Sequence, residues 1–157
     1  MKFEEFVCFE ATIPQLQARD RDGAITELVA ALLHAGKIPA ESGKEVAKAV
    51  IKRENEASTG MGKGVAVPHV KHPAVQTVVA AVGHSANGID FASLDEQPVY
   101  SVILLVSPVG NPDKHLQAME NIFRHLQKER FRKFLRQCRD SNALEDLLRE
   151  ADENPSW

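Results

Sequence analysis

Val99-Tyr100-Ser101-Val102-Ile103-Leu104-Leu105-Val106 is apolar at nearly every position and shows no polar–apolar alternation. A strand with one face in water alternates, whereas a strand covered on both faces does not. Gln76 to Gly83, Gln-Thr-Val-Val-Ala-Ala-Val-Gly, has the same character and reads as a second strand covered on both faces. Between them, Asn87-Gly88-Ile89-Asp90 and Asp95-Glu96-Gln97-Pro98 are turn signals. Upstream lies a short apolar strand, Val65–Val67, and Ile13–Leu16 is a short strand or a loop.

Helices stand on either side of these strands in the sequence. Asp20 is expected to cap a helix in which Ile25, Leu28, Val29, Leu32 and Leu33 form one stripe, with Gly36 as its stop. A second helix spans about 40–55, opened by Pro39, with Val46, Ala47, Val50 and Ile51 inward. Past the strands, Asp113 is expected to cap a helix that carries Leu116, Met119, Ile122, Phe123 and Leu126 on one side. Helical sequence continues from Arg130 to about Asp152, with a break near 140–142, where Asn142 and Glu145 have capping-box spacing. Helices, then strands, then helices predict an α/β fold: a single mixed β-sheet flanked by helices on both faces. No linker or repeat interrupts the chain, so residues 1–157 read as one domain, with 153–157 as a loose tail.

Composition narrows the function classes. Apolar residues make up 43% and charged residues 26%, as in ordinary globular proteins. A net charge of −3 gives no electrostatic footprint for nucleic acid. No apolar run approaches the roughly 18–20 residues of a membrane span, and the acidic start Met1-Lys2-Phe3-Glu4-Glu5 lacks a signal-peptide core. Cys8 and Cys138, far apart and without ligand spacing, read as reduced cysteines of a cytoplasmic protein.

Chemistry concentrates in Ser58-Thr59-Gly60-Met61-Gly62-Lys63-Gly64-Val65-Ala66-Val67-Pro68-His69. Its glycines have two readings. One is a loop of free N–H groups that cradles an anion, with Thr59 and Lys63 as further donors. The other is a tight turn between helix and strand, where glycine permits positive φ. The spacing departs from a P-loop, and the order helix–loop–strand reverses that of a dinucleotide fingerprint. His69 ends the strand, and His115 opens a helix after the loop that follows the next strand, so the two meet if their strands are neighbours. His34 and His125 have the positions of structural or surface residues. His69, His72 and His115 are the only combination that offers a metal site, and no Cys or carboxylate joins them at ligand spacing. Arg53, at the end of the second helix, is either an anion-pairing guanidinium or a solvated helix-end cation. Ser58 and Ser107 lack the Gly-x-Ser-x-Gly context of a nucleophile. Arg130, Arg132, Lys133, Arg136 and Arg139 form a basic helix face, either solvated surface or a site for an acidic partner.

Arg53-Glu54 followed by Ser58 to His69 resembles the active-site signature of the enzyme IIA domain of the phosphoenolpyruvate:sugar phosphotransferase system, fructose/mannitol type. That family includes the nitrogen-regulatory IIA proteins. The resemblance extends over roughly residues 10–150, through Ala24-Ile25 and Glu27-Leu28, the strand before Ser107-Pro108, and His115-Leu116. It implies a histidine phosphocarrier in which His69 accepts a phosphoryl group from the phosphocarrier HPr and passes it to a IIB domain or uses it as a signal. His115 would support the acceptor and Arg53 would be the active-site arginine. Thr59, Gly60, Gly62, Lys63 and Gly64 would bind the phosphoryl group. A regulatory protein-binding module of the same fold, independent of phosphorylation, is the alternative. No carboxylate pair stands beside the motif, so no metal or other cofactor is expected. Small residues commonly follow Pro-His in the family, whereas Val70 stands here, where it is expected to narrow access or shift partner preference.

Overall fold

The computed structural model describes residues 1–156. Among them the order is α1 (Phe3–Phe6), α2 (Arg21–His34), α3 (Gly43–Glu56), β1 (Gly60–Gly62), β2 (Val65–Ala66), β3 (His69–Lys71), β4 (Val79–Ile89), β5 (Val99–Ser107), α4 (Pro112–Leu126), α5 (Glu129–Gln137) and α6 (Ser141–Glu153). β5 is the hub of one mixed sheet. β2 and β3 lie parallel to it on one side, with Val65 opposite Ser101 and His69 opposite Leu105. β4 lies antiparallel on the other side, and β1 pairs antiparallel with β2.

Each side chain of β5 goes to the face opposite its neighbour's. Val102, Leu104 and Val106 pack with Ile25, Leu28 and Val50 of α2 and α3. Ile103 and Leu105 pack with Ile122, Phe131 and Leu148 of α4, α5 and α6. Two cores on one sheet explain the unbroken apolar run, since neither face of the strand meets water. The expected architecture is therefore the one observed.

Several local expectations are met. Asp20 accepts from the Gly23 amide at 2.7 Å and caps α2. Gly36 follows its C-terminus at φ 77. The break near residue 140 separates α5 from α6.

Others change. β4 runs on to Ile89 through the Asn87-Gly88 turn signal, absorbing it as a register shift with Gly88 at φ 85. α4 is capped by Asn111, not Asp113; its side-chain oxygen accepts from the Lys114 amide at 3.4 Å. Asp140, not Asn142, caps α6, accepting from the Ala143 amide at 2.7 Å. Leu116 is 60% exposed, because α4 turns His115, Ala118, Ile122 and His125 toward the sheet.

The first residues, which carry no clear pattern, form α1 and then run along the free edge of β4. Cys8, Ile13 and Leu16 amides donate to the carbonyls of Ala80, Val82 and His84. The Asp152 carboxylate of α6 accepts from the Phe3 amide at 2.7 Å and the Glu4 amide at 3.0 Å, tying the two ends of the chain together. Of the expected loose tail, Glu153 belongs to α6, Pro155 accepts from the Lys128 ammonium at 2.7 Å, and Trp157 lies outside the described residues. Cys8 and Cys138 are free thiols.

Candidate functional site

Pro68 has no N–H, so pairing with β5 breaks after β2 and resumes at His69. The Pro68 carbonyl still accepts from the Leu105 amide at 3.0 Å, which fixes the entry into β3. On the neighbouring strand, β5 ends at Ser107, and Asn111 and Pro112 start α4 within a few residues. His115 therefore falls on the first turn of α4, above the end of β5. The two rings meet there, with centroids 5.8 Å apart and planes at 45°. Arg53, in the last turn of α3, is near enough for its charge to act on His69. The structure thus brings together His69, His115 and Arg53.

Hydrogen bonds fix the rings. His69 Nδ1 lies 2.7 Å from the Val67 carbonyl oxygen. A carbonyl only accepts, so Nδ1 carries the proton and Nε2 carries the lone pair. The pKa of His69 is lowered, by burial first, opposed by the Val67 carbonyl and reinforced by the Arg53 charge. The lowered pKa favours the neutral ring, whose lone pair is then at Nε2. His115 Nδ1 lies 2.6 Å from the Ser107 hydroxyl, which is fully buried. Its pKa is also lowered, by burial, then by His69 and Lys71. Arg53 spends one donor on the Ala57 carbonyl at 2.9 Å. A guanidinium has five donors, so most of its fork is left for an anion.

Glu54 and Ser107 are parts of this arrangement that residue-type reasoning does not assign. Glu54 is 2% exposed although it is a carboxylate. Its two oxygens accept from the Thr59 amide at 2.6 Å and the Thr59 hydroxyl at 2.7 Å. Its charge raises the His69 pKa, against that of Arg53. The pair Arg53-Glu54 in the signature was the available signal. Ser107 stood in the Ser107-Pro108 of the resemblance, but a serine at a strand end gives no sign by type of the histidine it holds.

The glycine-rich run behaves differently from an amide cradle. Gly62 pairs with Val65, and the two residues between them, Lys63 and Gly64, have φ 60 and 82. Positive φ at both positions is what a type I′ hairpin turn requires. The turn lies beside Tyr100, whose amide donates to the Gly64 carbonyl at 2.8 Å. From Ser101, opposite Val65, to Leu105, opposite His69, the strand runs about 13 Å. Gly62, Lys63 and Gly64 are thus not brought to His69. The donors are also occupied: Lys63 N–H by Asp95 at 2.8 Å, Gly60 N–H by the Ser58 hydroxyl at 2.9 Å, and Thr59 by Glu54. Thr59 lies nearer the histidines, where its carbonyl accepts from the Val67 amide at 3.3 Å, and Gly60 follows it opposite Ala66.

Val70 points away from His69 along the strand and packs against the α2/α3 core, so its bulk does not face the acceptor. His72 is buried; its Nδ1 accepts from the Ala74 amide at 3.0 Å, and its Nε2 faces Glu45 at 3.6 Å. It does not join His69 and His115. Among the described residues, no three His, Cys, Asp or Glu side chains gather as a metal site.

A mixed sheet with helices on both faces thus carries two histidine rings that meet beyond the strand ends. The chain belongs to the family "Phosphoenolpyruvate-dependent sugar phosphotransferase system, EIIA 2", which it matches over residues 7–151. A nitrogen regulatory protein of Bradyrhizobium diazoefficiens is 33% identical over 94% of this chain and 95% of its own length. The fructose-specific EIIABC component of Bacillus subtilis is 30% identical over 97% of this chain, which spans only 24% of that protein. The crystal structure of nitrogen regulatory protein IIA-Ntr from Neisseria meningitidis superposes with a TM-score of 0.81 at 21% identity, covering 92% of this chain and 97% of that one. IIA-mannitol of Escherichia coli, solved in complex with phosphorylated IIB-mannitol, gives 0.74 at 19% identity, covering 90% and 95%. Among the described residues, no helix is long and apolar enough to cross a membrane.

Proposed function

We propose that the chain is a cytoplasmic histidine phosphocarrier that accepts a phosphoryl group from an HPr-type protein on Nε2 of His69. The observation that carries this reading is the 2.7 Å bond from His69 Nδ1–H to the Val67 carbonyl, which leaves Nε2 unprotonated. The Nε2 lone pair forms the bond to phosphorus while the bond from phosphorus to the donor breaks, and no proton need leave the ring first. Transfer of this kind depends on position and charge neutralisation. Arg53 supplies the fixed positive charge, and His115, held by Ser107, supplies a second ring nitrogen beside the acceptor. Thr59 borders the site, with Glu54 holding it in place.

Incubation with enzyme I, HPr and phosphoenolpyruvate, followed by intact mass, tests the reading. Wild type should gain one phosphoryl group, His69→Ala none, and His115→Ala should gain it slowly. A gain in His69→Ala, or none in wild type, overturns the assignment; the latter outcome leaves a binding module that works without phosphorylation. The likeness to nitrogen regulatory proteins favours a regulatory destination, and that to fructose-specific components favours a IIB domain. Mixing the phosphorylated chain with purified fructose-type IIB domains separates them: transfer indicates transport, and its absence indicates signalling.

A further inference from the structure

We propose that the groove between α5 and the β1–β2 turn binds an acidic segment of a partner protein, at the end of the sheet remote from His69. The groove encloses about 490 Å³ and is lined by Lys63, Arg132, Lys133, Arg136 and Arg139, with Glu129 as its carboxylate. Those five cations belong to a chain whose net charge is −3. None of the five forms an ion pair within the protein among the described residues.

The clustering runs against folding economy. Arg132 and Arg136 stand four apart on α5, and Lys133 and Arg136 three apart. Like charges at these spacings destabilise a helix. The arginines are nevertheless held in place. Arg136 lies over the Tyr100 ring, its guanidinium carbon 3.6 Å from the centroid. Arg132 donates to the Leu126 carbonyl at 2.8 Å, and Arg139 to the Arg136 carbonyl at 2.9 Å. Each keeps unused donors, so the forks are ordered before a ligand arrives. Their field reaches His84 on β4, whose pKa is lowered by burial first and then by Arg139.

Charge and shape together specify the occupant. Arg132 and Arg136 stand about 6 Å apart along α5, and Arg139 extends the row past the end of the helix, so in this open groove one small anion reaches only part of the row. A chain of carboxylates reaches all of it. On the other flank of α5, a second groove of about 350 Å³ offers Phe134, Cys138 and Leu147, and Gln137 lines both. An apolar residue next to the acidic run fits there. Asp146 and Glu150 line that second groove and keep the acidic run on the Arg132 side. Tyr100, under Arg136, and Leu105, opposite His69, are five residues apart on β5, about 17 Å, so a bound partner leaves the histidine face open.

The test is fluorescence anisotropy with a labelled peptide of about twelve residues, mostly Glu and Asp with one Phe, beside its Gln/Asn counterpart and tripolyphosphate as competitor. The acidic peptide should bind, the amide peptide should not, and affinity should fall between about 50 mM and about 200 mM salt. In Lys133→Glu/Arg139→Glu, with circular dichroism and thermal midpoint unchanged, affinity should drop by about tenfold or more. Amide shifts induced by the peptide should map to α5 and the turn at Lys63. No binding, equal binding by the double variant, or binding of tripolyphosphate alone overturns the proposal. Phosphorylation of the double variant at His69 reports separately on the carrier function, so failure of either reading is distinguishable from failure of the other.

Discussion

A hydroxyl that can turn its proton either way is the partner His115 needs. Ser107 can donate to Nδ1 or accept from Nδ1–H, so the ring stays seated whichever nitrogen is protonated. Ser107→Ala removes that seat without opening a large cavity. Phosphorylation of His69 should still go to completion but slow by about tenfold, an increase of roughly 1.4 kcal/mol in the barrier, read by rapid-quench mass spectrometry. An unchanged rate would mean that His115 is held by packing alone. For His69 the backbone does the holding, and burial outweighs the Val67 bond in setting the pKa. Long-range proton–nitrogen NMR should therefore show His69 with Nδ1 protonated and a titration midpoint below the ordinary value of about 6.5. A midpoint above that value, or the opposite tautomer, removes the basis for Nε2 as nucleophile. Glu54 works through Thr59. Glu54→Ala strands a buried N–H and hydroxyl and should cost about 1–3 kcal/mol in urea unfolding. Glu54→Gln, which can still accept from the amide, should cost less.

Turn geometry decides what the signature segment does. The β1–β2 hairpin needs glycine for two separate reasons. Gly62 and Gly64 supply positive φ, whereas Gly60 supplies space: a Cβ there would lie 2.3 Å from the Ser93 Oγ and 3.0 Å from the Ser93 Cα. Gly60→Ala should push the β4–β5 loop off β1 and destabilise by about 1–3 kcal/mol in thermal unfolding. Adding Ser93→Gly, which removes both Oγ and Cβ, should restore part of the loss; no restoration would place the strain elsewhere. This division marks how far the sequence could be read. The unbroken apolar runs of β4 and β5 announced a sheet covered on both faces. Pro68-His69 marked the end of pairing after β2, although His69 opens β3 and does not end the strand before it. Glycine content did not distinguish an amide cradle from a hairpin, because both call for the same residue at positive φ. On α4 the expected stripe packs inward at Met119, Ile122, Phe123 and Leu126 and fails at Leu116: apolar periodicity discounts histidine, yet His115 and His125 face inward because Ser107 and the Asn121 carbonyl satisfy their Nδ1 atoms. β1 and β3 are too short to leave a period of their own.

Across the whole molecule, four histidines pull in one direction. His69, His84, His115 and His125 all have lowered pKa values, with burial as the leading cause in each. His125 is the most structural of them, 1% exposed, with its ring centroid 4.9 Å from that of Phe3 and 5.3 Å from that of Phe131. In the unfolded chain these imidazoles take up a proton near pH 6.5, whereas in the fold they do so only at lower pH. Between the two values the unfolded chain binds more protons, so acid favours unfolding. The contribution is fully present above about pH 7 and is lost progressively as pH falls through about 6.5 toward the lowered folded values. The thermal midpoint should accordingly be level from about pH 8 to pH 7 and decline from there to about pH 5. His125→Phe keeps an aromatic ring against Phe3 and Phe131 and abolishes one titration. Its midpoint should fall less steeply over the acid range than that of wild type, even if the two differ at neutral pH. Parallel pH profiles would show that His125 is accommodated equally well with its proton, contrary to its seat between two phenyl rings.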